Sequence, residues 1–235
     1  MLSKEVIKNL AQKKQTTELN IEREYFQHLF LSYFYEQKGA QKVYFKGGTA
    51  LRIIHGSPRF SEDLDFSSRV RNIPEIEQMM VKTLEAVEKE GFNVDIEESK
   101  QTSGGYLANL YFDKVAVQLQ ISLRDSKKKG ESVTIVSDFL PTYVLKQLSS
   151  EQLVEEKIRA LLDRGKPLDF YYLYFILRAN LLPVSQRIVL PKIIGALKKN
   201  VASFDKELKQ FLPRNQWLII RNFRSVLERE IGRFL

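Results

Sequence analysis

The 235-residue chain has no cysteine, which excludes disulfides and thiolate chemistry. Its only histidines are His28 and His55, too few for a histidine-rich zinc site. Any metal is therefore expected to be a hard cation held by carboxylates. No apolar run approaches the length that crosses a bilayer, and the opening residues, MLSKEVIKNLAQKKQ, lack the uninterrupted apolar stretch of a signal peptide. The expectation is a soluble cytoplasmic protein with no membrane part. Glycine is sparse, at 11 residues, so a pair of adjacent glycines calls for a reason.

Hydrophobic residues make up 43% of the chain, with 15 Phe and 10 Tyr, enough for one sizeable core or two modest ones. Lysine and arginine total 37 against 29 acidic residues, a net charge of +8 that suits an anionic partner such as nucleic acid. The basic run SKKKG at 126–130 and Lys198, Lys199, Lys206 and Lys209 read either as parts of such a surface or as ordinary solvated faces.

Periodicity divides the chain. Residues 16–39 place Ile21, Tyr25, Phe26, Leu29, Phe30, Tyr33 and Phe34 in the stripe of an amphipathic helix, stopped near Gly39 and covering one face of the segments downstream. KVYF then reads as a strand, TALRIIHG as a short helix after Gly47 and Gly48, and DLDFSS as a second strand. A second helix, PEIEQMMVKTLEAVEKEGF, has Pro74 suited to its first turn and Gly91 to its C-terminal cap. NVDIEES, YLANLYF and VAVQLQISLRD alternate apolar and polar residues like half-buried strands, with Gly104 and Gly105 turning between the first two, and SVTIVSDF is strand-like too. The character changes near Leu140. EQLVEEKIRALLDRG, PLDFYYLYFILRAN, LPKIIGALKKN and NQWLIIRNFRSVLEREIG all read as helices. The expected class is α+β: a mixed sheet with flanking helices over residues 1–140, then an all-α domain over 141–235.

The chemistry is concentrated in KGGTALRIIHGSPRFSEDLDF, residues 46–66. Aspartates at i and i+2 on a strand share a face, so Asp63 and Asp65 present paired carboxylates while Leu64 turns to the core. Like charges that close repel unless a cation lies between them, and Mg²⁺ takes oxygen ligands of this kind together with substrate phosphates. A strand ending in Gly47 and Gly48 lets backbone approach a phosphate, the following helix N-terminus offers N–H groups, and Thr49 adds a hydroxyl. Together these parts predict a site for a metal-bound triphosphate. Before the aspartates, Arg59 either meets phosphate or holds Asp63, and Ser61 either organises the turn or contacts ligand. His55, at a helix end, reads as a charge–dipole contact. The series Phe170, Tyr171, Tyr172, Tyr174 and Phe175 reads as helical core, with one tyrosine available to stack on a base.

KGGTALR followed by RFSEDLDF resembles the signature of the abortive-infection nucleotidyltransferase toxins of AbiEii/AbiGii type, within the polymerase-β-like nucleotidyltransferase superfamily. EEKIRALLDRGKPLDFYYLYF is similar to that family's later motifs, and the resemblance spans about Val43 to Phe175. It implies a nucleotidyltransferase fold with a helical domain, a cytoplasmic setting, a neighbouring antitoxin, and two Mg²⁺ ions at Asp63 and Asp65. It also implies transfer of a nucleoside monophosphate from a nucleoside triphosphate (NTP) to RNA, with the tRNA 3′ end as the expected acceptor. Lys46, Gly47, Gly48, Thr49, Arg59, Ser61 and Arg164 would bind nucleotide, and Lys157 and Asp169 would join the aspartates in catalysis. The alternatives are transfer to a protein or small molecule, and a nucleotide-binding module without turnover. For Lys157 and Arg164 the bland alternative is pairing with Glu155, Glu156 or Asp163. Two departures stand out. Gln118 and Gln120 occupy the strand where the superfamily carries a third carboxylate, and Tyr172 stands where the family shows a second acidic residue. Asp169, Asp113 or Asp125 would then supply the missing carboxylate.

Overall fold

The computed structural model describes residues 2–124, 127–200 and 203–235, which form two compact units. The first runs up to Gly56 and resumes from Phe60 to Ser149, and the second takes Ser57–Arg59 and Ser150–Leu235.

In the first unit, helix α1 (Lys4–Lys13) starts where the Ser3 hydroxyl accepts the Val6 N–H at 3.3 Å. Helix α2 (Glu18–Glu36) is capped likewise by Thr17. It is the amphipathic helix expected from sequence, but it is buried more widely than one stripe. Asn20, Arg23, Glu24, Gln27 and His28 are enclosed along with its aromatic residues. Strand β1 (Val43–Lys46) runs directly into helix α3 (Gly47–Ile53) and is followed by β2 (Leu64–Ser68). Helix α4 (Ile73–Lys89) has its proline in the first turn, where a missing N–H costs nothing. Five strands complete the unit: β3 (Val94–Thr102), β4 (Gly105–Phe112), β5 (Val115–Ser122), β6 (Gly130–Ile135) and β7 (Tyr143–Leu148).

All seven strands form one mixed sheet in the order β3-β4-β5-β2-β1-β7-β6. β2 pairs antiparallel with β1 and parallel with β5, so the short β1–β2 segment sits at the centre. Along β5, Val115, Val117, Leu119 and Ile121 are buried in the core that includes α2 and α4, whereas Ala116 and Gln120 are exposed. Period-2 alternation thus leaves one polar sheet face, and Asp65 lies on it.

Strand β7 corrects the domain boundary read from sequence. YVLKQL joins the sheet beside β1 through Phe45 and Gln147, so the division falls after Ser149 and not near residue 140. The β1–β7 pairing is supplemented by Tyr35, whose hydroxyl donates to the Val43 and Lys146 carbonyls at 2.9 and 2.7 Å and accepts the Phe45 N–H at 3.1 Å.

The second unit packs α5 (Ser150–Arg164), α6 (Pro167–Arg178), α7 (Leu190–Lys199), α8 (Phe204–Leu208), α9 (Trp217–Arg221) and α10 (Phe223–Gly232) around its own core, which includes Ile158, Phe170, Ile176, Leu197 and Leu227. Gly165 ends α5 in the left-handed conformation, φ +57°, returning its N–H to the Leu161 carbonyl at 3.0 Å. The single helix expected over NQWLIIRNFRSVLEREIG is two, because Asn222 at φ −118° and ψ 34° leaves helical geometry.

Candidate active site

Lys46 on β1 and Gln120 on β5 are the register partners of Asp65 on either side. Gly47 then turns the chain beneath Asp65 with φ +86°, and a Cβ there would lie 2.2 Å from Asp65 Oδ2. Only glycine permits both the left-handed turn and the close approach. Gly48 and Thr49 are buried in the first turn of α3, and the Thr49 hydroxyl donates to the Asp63 carbonyl. Asp63 precedes β2 instead of belonging to it, while Leu64 is fully buried as expected. Asp63 and Asp65 are both half-buried.

The approach to Asp63 is held from α2. Gln27, buried, donates through Nε2 to the carbonyls of Ser61 at 2.9 Å and Glu62 at 3.2 Å. Arg23 pairs with Glu62 at 3.1 Å. Arg52 is clamped between the Glu24 carboxylate, at 2.8 and 3.1 Å, and the Phe60 ring, 3.8 Å from its centre. Sequence reading missed Gln27, because the carbonyls it holds lie 34 and 35 residues further along the chain. Ser61 thus enters the anchoring through its carbonyl.

An open cavity of about 340 Å³ faces Asp65, lined by Lys46, Gly104, Gly105, Gln120 and Arg124 among others. Gln120 stands where sequence reading looked for a third carboxylate. Asp113, one proposed substitute, sits in the β4–β5 turn at φ +54°, where its carboxylate accepts from the backbone and side chain of Asn93 at 3.2 and 3.3 Å. It lies at the far end of β5 from Gln120, roughly 20 Å along the strand. Asp113 is thereby ruled out as a substitute. Asp125 lies outside the described residues. Among the described residues no group of three or more carboxylate or imidazole side chains is placed to hold a metal.

In the helical unit the ionic groups gather on Tyr172. The Lys157 ammonium lies over the Tyr172 ring, 4.1 Å from its centre. Arg59, 6% exposed, donates to the Tyr172 hydroxyl at 2.9 Å and lies 4.7 Å from the centre of the Phe211 ring. Among the described residues, neither cation has a carboxylate partner, and the buried Arg59 Nε meets no acceptor. The pairing with Glu155 weighed for Lys157 goes instead to Arg159, at 2.9 Å.

Asp169 corrects another expectation. Its side chain has 0% exposure, and its oxygens accept from Arg164 at 2.7 and 2.9 Å and from the Lys166 N–H at 3.1 Å. A carboxylate enclosed by a guanidinium and a helix N-terminus is a cap and an anchor, not an open metal ligand. Arg164 keeps 48% of its side chain exposed while held this way. At His55 burial pushes the pKa down, opposed in part by the Gln147 side chain, so the enclosure works against the charged ring expected at a helix end. Phe170, Tyr171 and Phe175 are core residues, as expected.

The family described as "Nucleotidyl transferase AbiEii toxin, Type IV TA system" matches residues 29–230 of this chain. Among solved structures, MenT4, a nucleotidyltransferase toxin from Mycobacterium tuberculosis H37Rv, is similar with a TM-score of 0.70 at 14% identity, over 100% of this chain and 90% of that one. JHP933 from Helicobacter pylori gives 0.68 at 18% identity, over 93% of both chains. A putative nucleotidyltransferase from H. pylori gives 0.67 at 18%, over 93% of this chain and 95% of that one. No curated protein matches. At such identities the solved structures speak for the fold alone.

Proposed function

Because the chain belongs to the nucleotidyl transferase AbiEii toxin family of type IV toxin–antitoxin systems, we propose that it moves a nucleoside monophosphate from an NTP to RNA, with tRNA as the acceptor, using Mg²⁺ held by Asp63 and Asp65. The observation that carries this reading is the junction where Gly47 passes beneath the Asp65 carboxylate, 2.2 Å from where a Cβ would stand.

The donor set fits the cation. Two half-buried carboxylates supply hard oxygens, the chain has no cysteine thiolate, and an open cavity of about 340 Å³ gives access for a phosphate chain. Bound magnesium would supply charge neutralisation at the attacking and leaving oxygens. The protein's own contribution is position and charge. Thr49 and Gln27 fix Asp63 and the loop before it. Lys46, beside Asp65, would hold phosphate together with the N–H groups at the start of α3. In the helical unit, Arg59 and Lys157 form a cationic pair on Tyr172, and a buried guanidinium without a carboxylate favours an anionic ligand. Arg164 would add a further phosphate contact, with Asp169 as its positioning residue.

The net charge of +8 supports RNA over a protein or small-molecule acceptor, since backbone neutralisation uses cations. A neighbouring antitoxin is the partner the family implies, and the cytoplasm is the corresponding compartment. Among the described residues no helix is long and apolar enough to cross a membrane.

The test is incubation with each of the four NTPs, labelled at the α-phosphate, in the presence of total RNA, cell protein or small-molecule extract. Label on tRNA from one preferred nucleotide is expected. Label on protein or small molecules alone would reassign the acceptor.

A further inference from the structure

The position beside Asp65 is filled by Gln120, and the polar sheet face around it carries a continuous hydrogen-bonded ladder. Gln120 Nε2 donates to Gln118 Oε1 at 2.6 Å, Gln118 Nε2 to Asn109 Oδ1 at 2.9 Å, and Asn109 Nδ2 to Glu98 Oε2 at 3.1 Å. Asn109 is the register partner of Gln118 on β5 and of Glu98 on β3, so these side chains share one face across three strands. Glu98 is itself paired with Lys100.

The polarity of this ladder is set at its far end. An ionised carboxylate only accepts, so Asn109 must turn its amide N–H to Glu98 and its carbonyl oxygen to Gln118. Gln118 must then present N–H to Asn109 and its oxygen to Gln120. Gln120 spends an N–H on Gln118, and its Oε1 meets no donor among the described residues while Gln120 lines the cavity with Asp65. An amide that could otherwise face either way is thus fixed with oxygen available.

We propose that Gln120 is a neutral oxygen ligand for the divalent cation at Asp65, and that Glu98, two strands away, is the positioning residue that sets its orientation. This rests on the reading of Asp63 and Asp65 as the metal-holding pair. An amide oxygen suits a hard cation, yet it adds no negative charge beside the two carboxylates and has no basicity. The third position of the site therefore contributes coordination without a third repelling charge and without a proton acceptor.

The test is Mn²⁺ titration of the full chain, free of nucleotide, followed by electron paramagnetic resonance, with thermal melting to establish that each variant folds. Asp65→Ala removes the specific Mn²⁺ site. Gln120→Leu weakens it about tenfold, the scale on which shell residues tune metal affinity. Gln120→Glu tightens it, by adding charge. Glu98→Gln reproduces part of the Gln120→Leu loss, because an amide at the far end no longer imposes one polarity. Asp95→Asn, which removes an exposed carboxylate on the same strand outside the ladder, leaves affinity unchanged. Wild-type affinity in Gln120→Leu, or equal effects of Glu98→Gln and Asp95→Asn, would overturn the ladder while leaving the carboxylate pair intact. If Asp65→Ala binds Mn²⁺ as tightly as the wild type, the carboxylate reading itself fails.

Discussion

Two residues carry sharp expectations of their own. Gly47→Ala forces a Cβ into Asp65 at a backbone φ of +86°, so either the strand or the carboxylate must move. The expected cost is about 1–3 kcal/mol of stability together with loss of activity of at least about 100-fold, read from urea unfolding and initial rates. His28, on α2, concerns stability alone. Burial lowers its pKa to about 4, assisted by Lys14 and Arg52 and opposed by Glu24 and Asp138, and its Nδ1 lies 2.9 Å from the Tyr143 hydroxyl. Because the folded pKa lies below the unfolded 6.5, the neutral ring's contribution is fully present above pH 6.5 and is lost as pH falls toward 4. That loss is on the order of 3 kcal/mol. The urea midpoint of His28→Asn should accordingly fall less than that of the wild type between neutral pH and about pH 4.5. At this scale the glycine pair and the aspartates were legible because their spacing along the chain encodes adjacency across β1 and β2. Gln27 and Tyr172 act through partners 34 and 113 residues away, which no local pattern announces.

Among the elements, α6 bears the clearest consequences. Its first turn encloses Asp169 between Arg164 and the Lys166 N–H. Asp169→Asn removes the buried charge that accepts from Arg164 and the Lys166 N–H and should destabilise the helical unit by about 1–3 kcal/mol, measured by chemical unfolding. One turn on, Tyr172→Phe keeps the ring under Lys157 but removes the hydroxyl from Arg59. The expected result is NTP binding weakened about fivefold, the loss of one charged hydrogen bond, with the melting temperature little changed. Most strands and helices could be read from period 2 or period 3.6, since each buries one face. Helix α1 escaped because only Ile7 and Ala11 of its residues are buried, too few to mark a stripe. Strand β7 escaped because it is six residues long and adjoins a helical region, so its pairing with β1 and β6 had no local marker.

Across the whole molecule, the sequence foretold a mixed sheet followed by helices, and each unit does have a core of its own. It did not foretell that Ser57–Arg59, from the middle of the first half, would belong with the helical unit. Within that unit Arg59 meets Tyr172 and Phe211. It placed Gln120 where a third carboxylate was sought but could not say how that amide is oriented, because the hydrogen-bonded ladder runs through Gln118 and Asn109 to Glu98 two strands away. The central claim remains that Asp63 and Asp65 drive nucleotidyl transfer to RNA. Its most direct measurement is the transfer of α-phosphate label from NTP to total tRNA with Mg²⁺, comparing the native chain with an Asp63→Ala/Asp65→Ala double variant whose fold is verified. Label on tRNA from the native chain that vanishes in the double variant is the expected result. Equal labelling by both proteins, or none from any of the four nucleotides with the folded native chain, would contradict it.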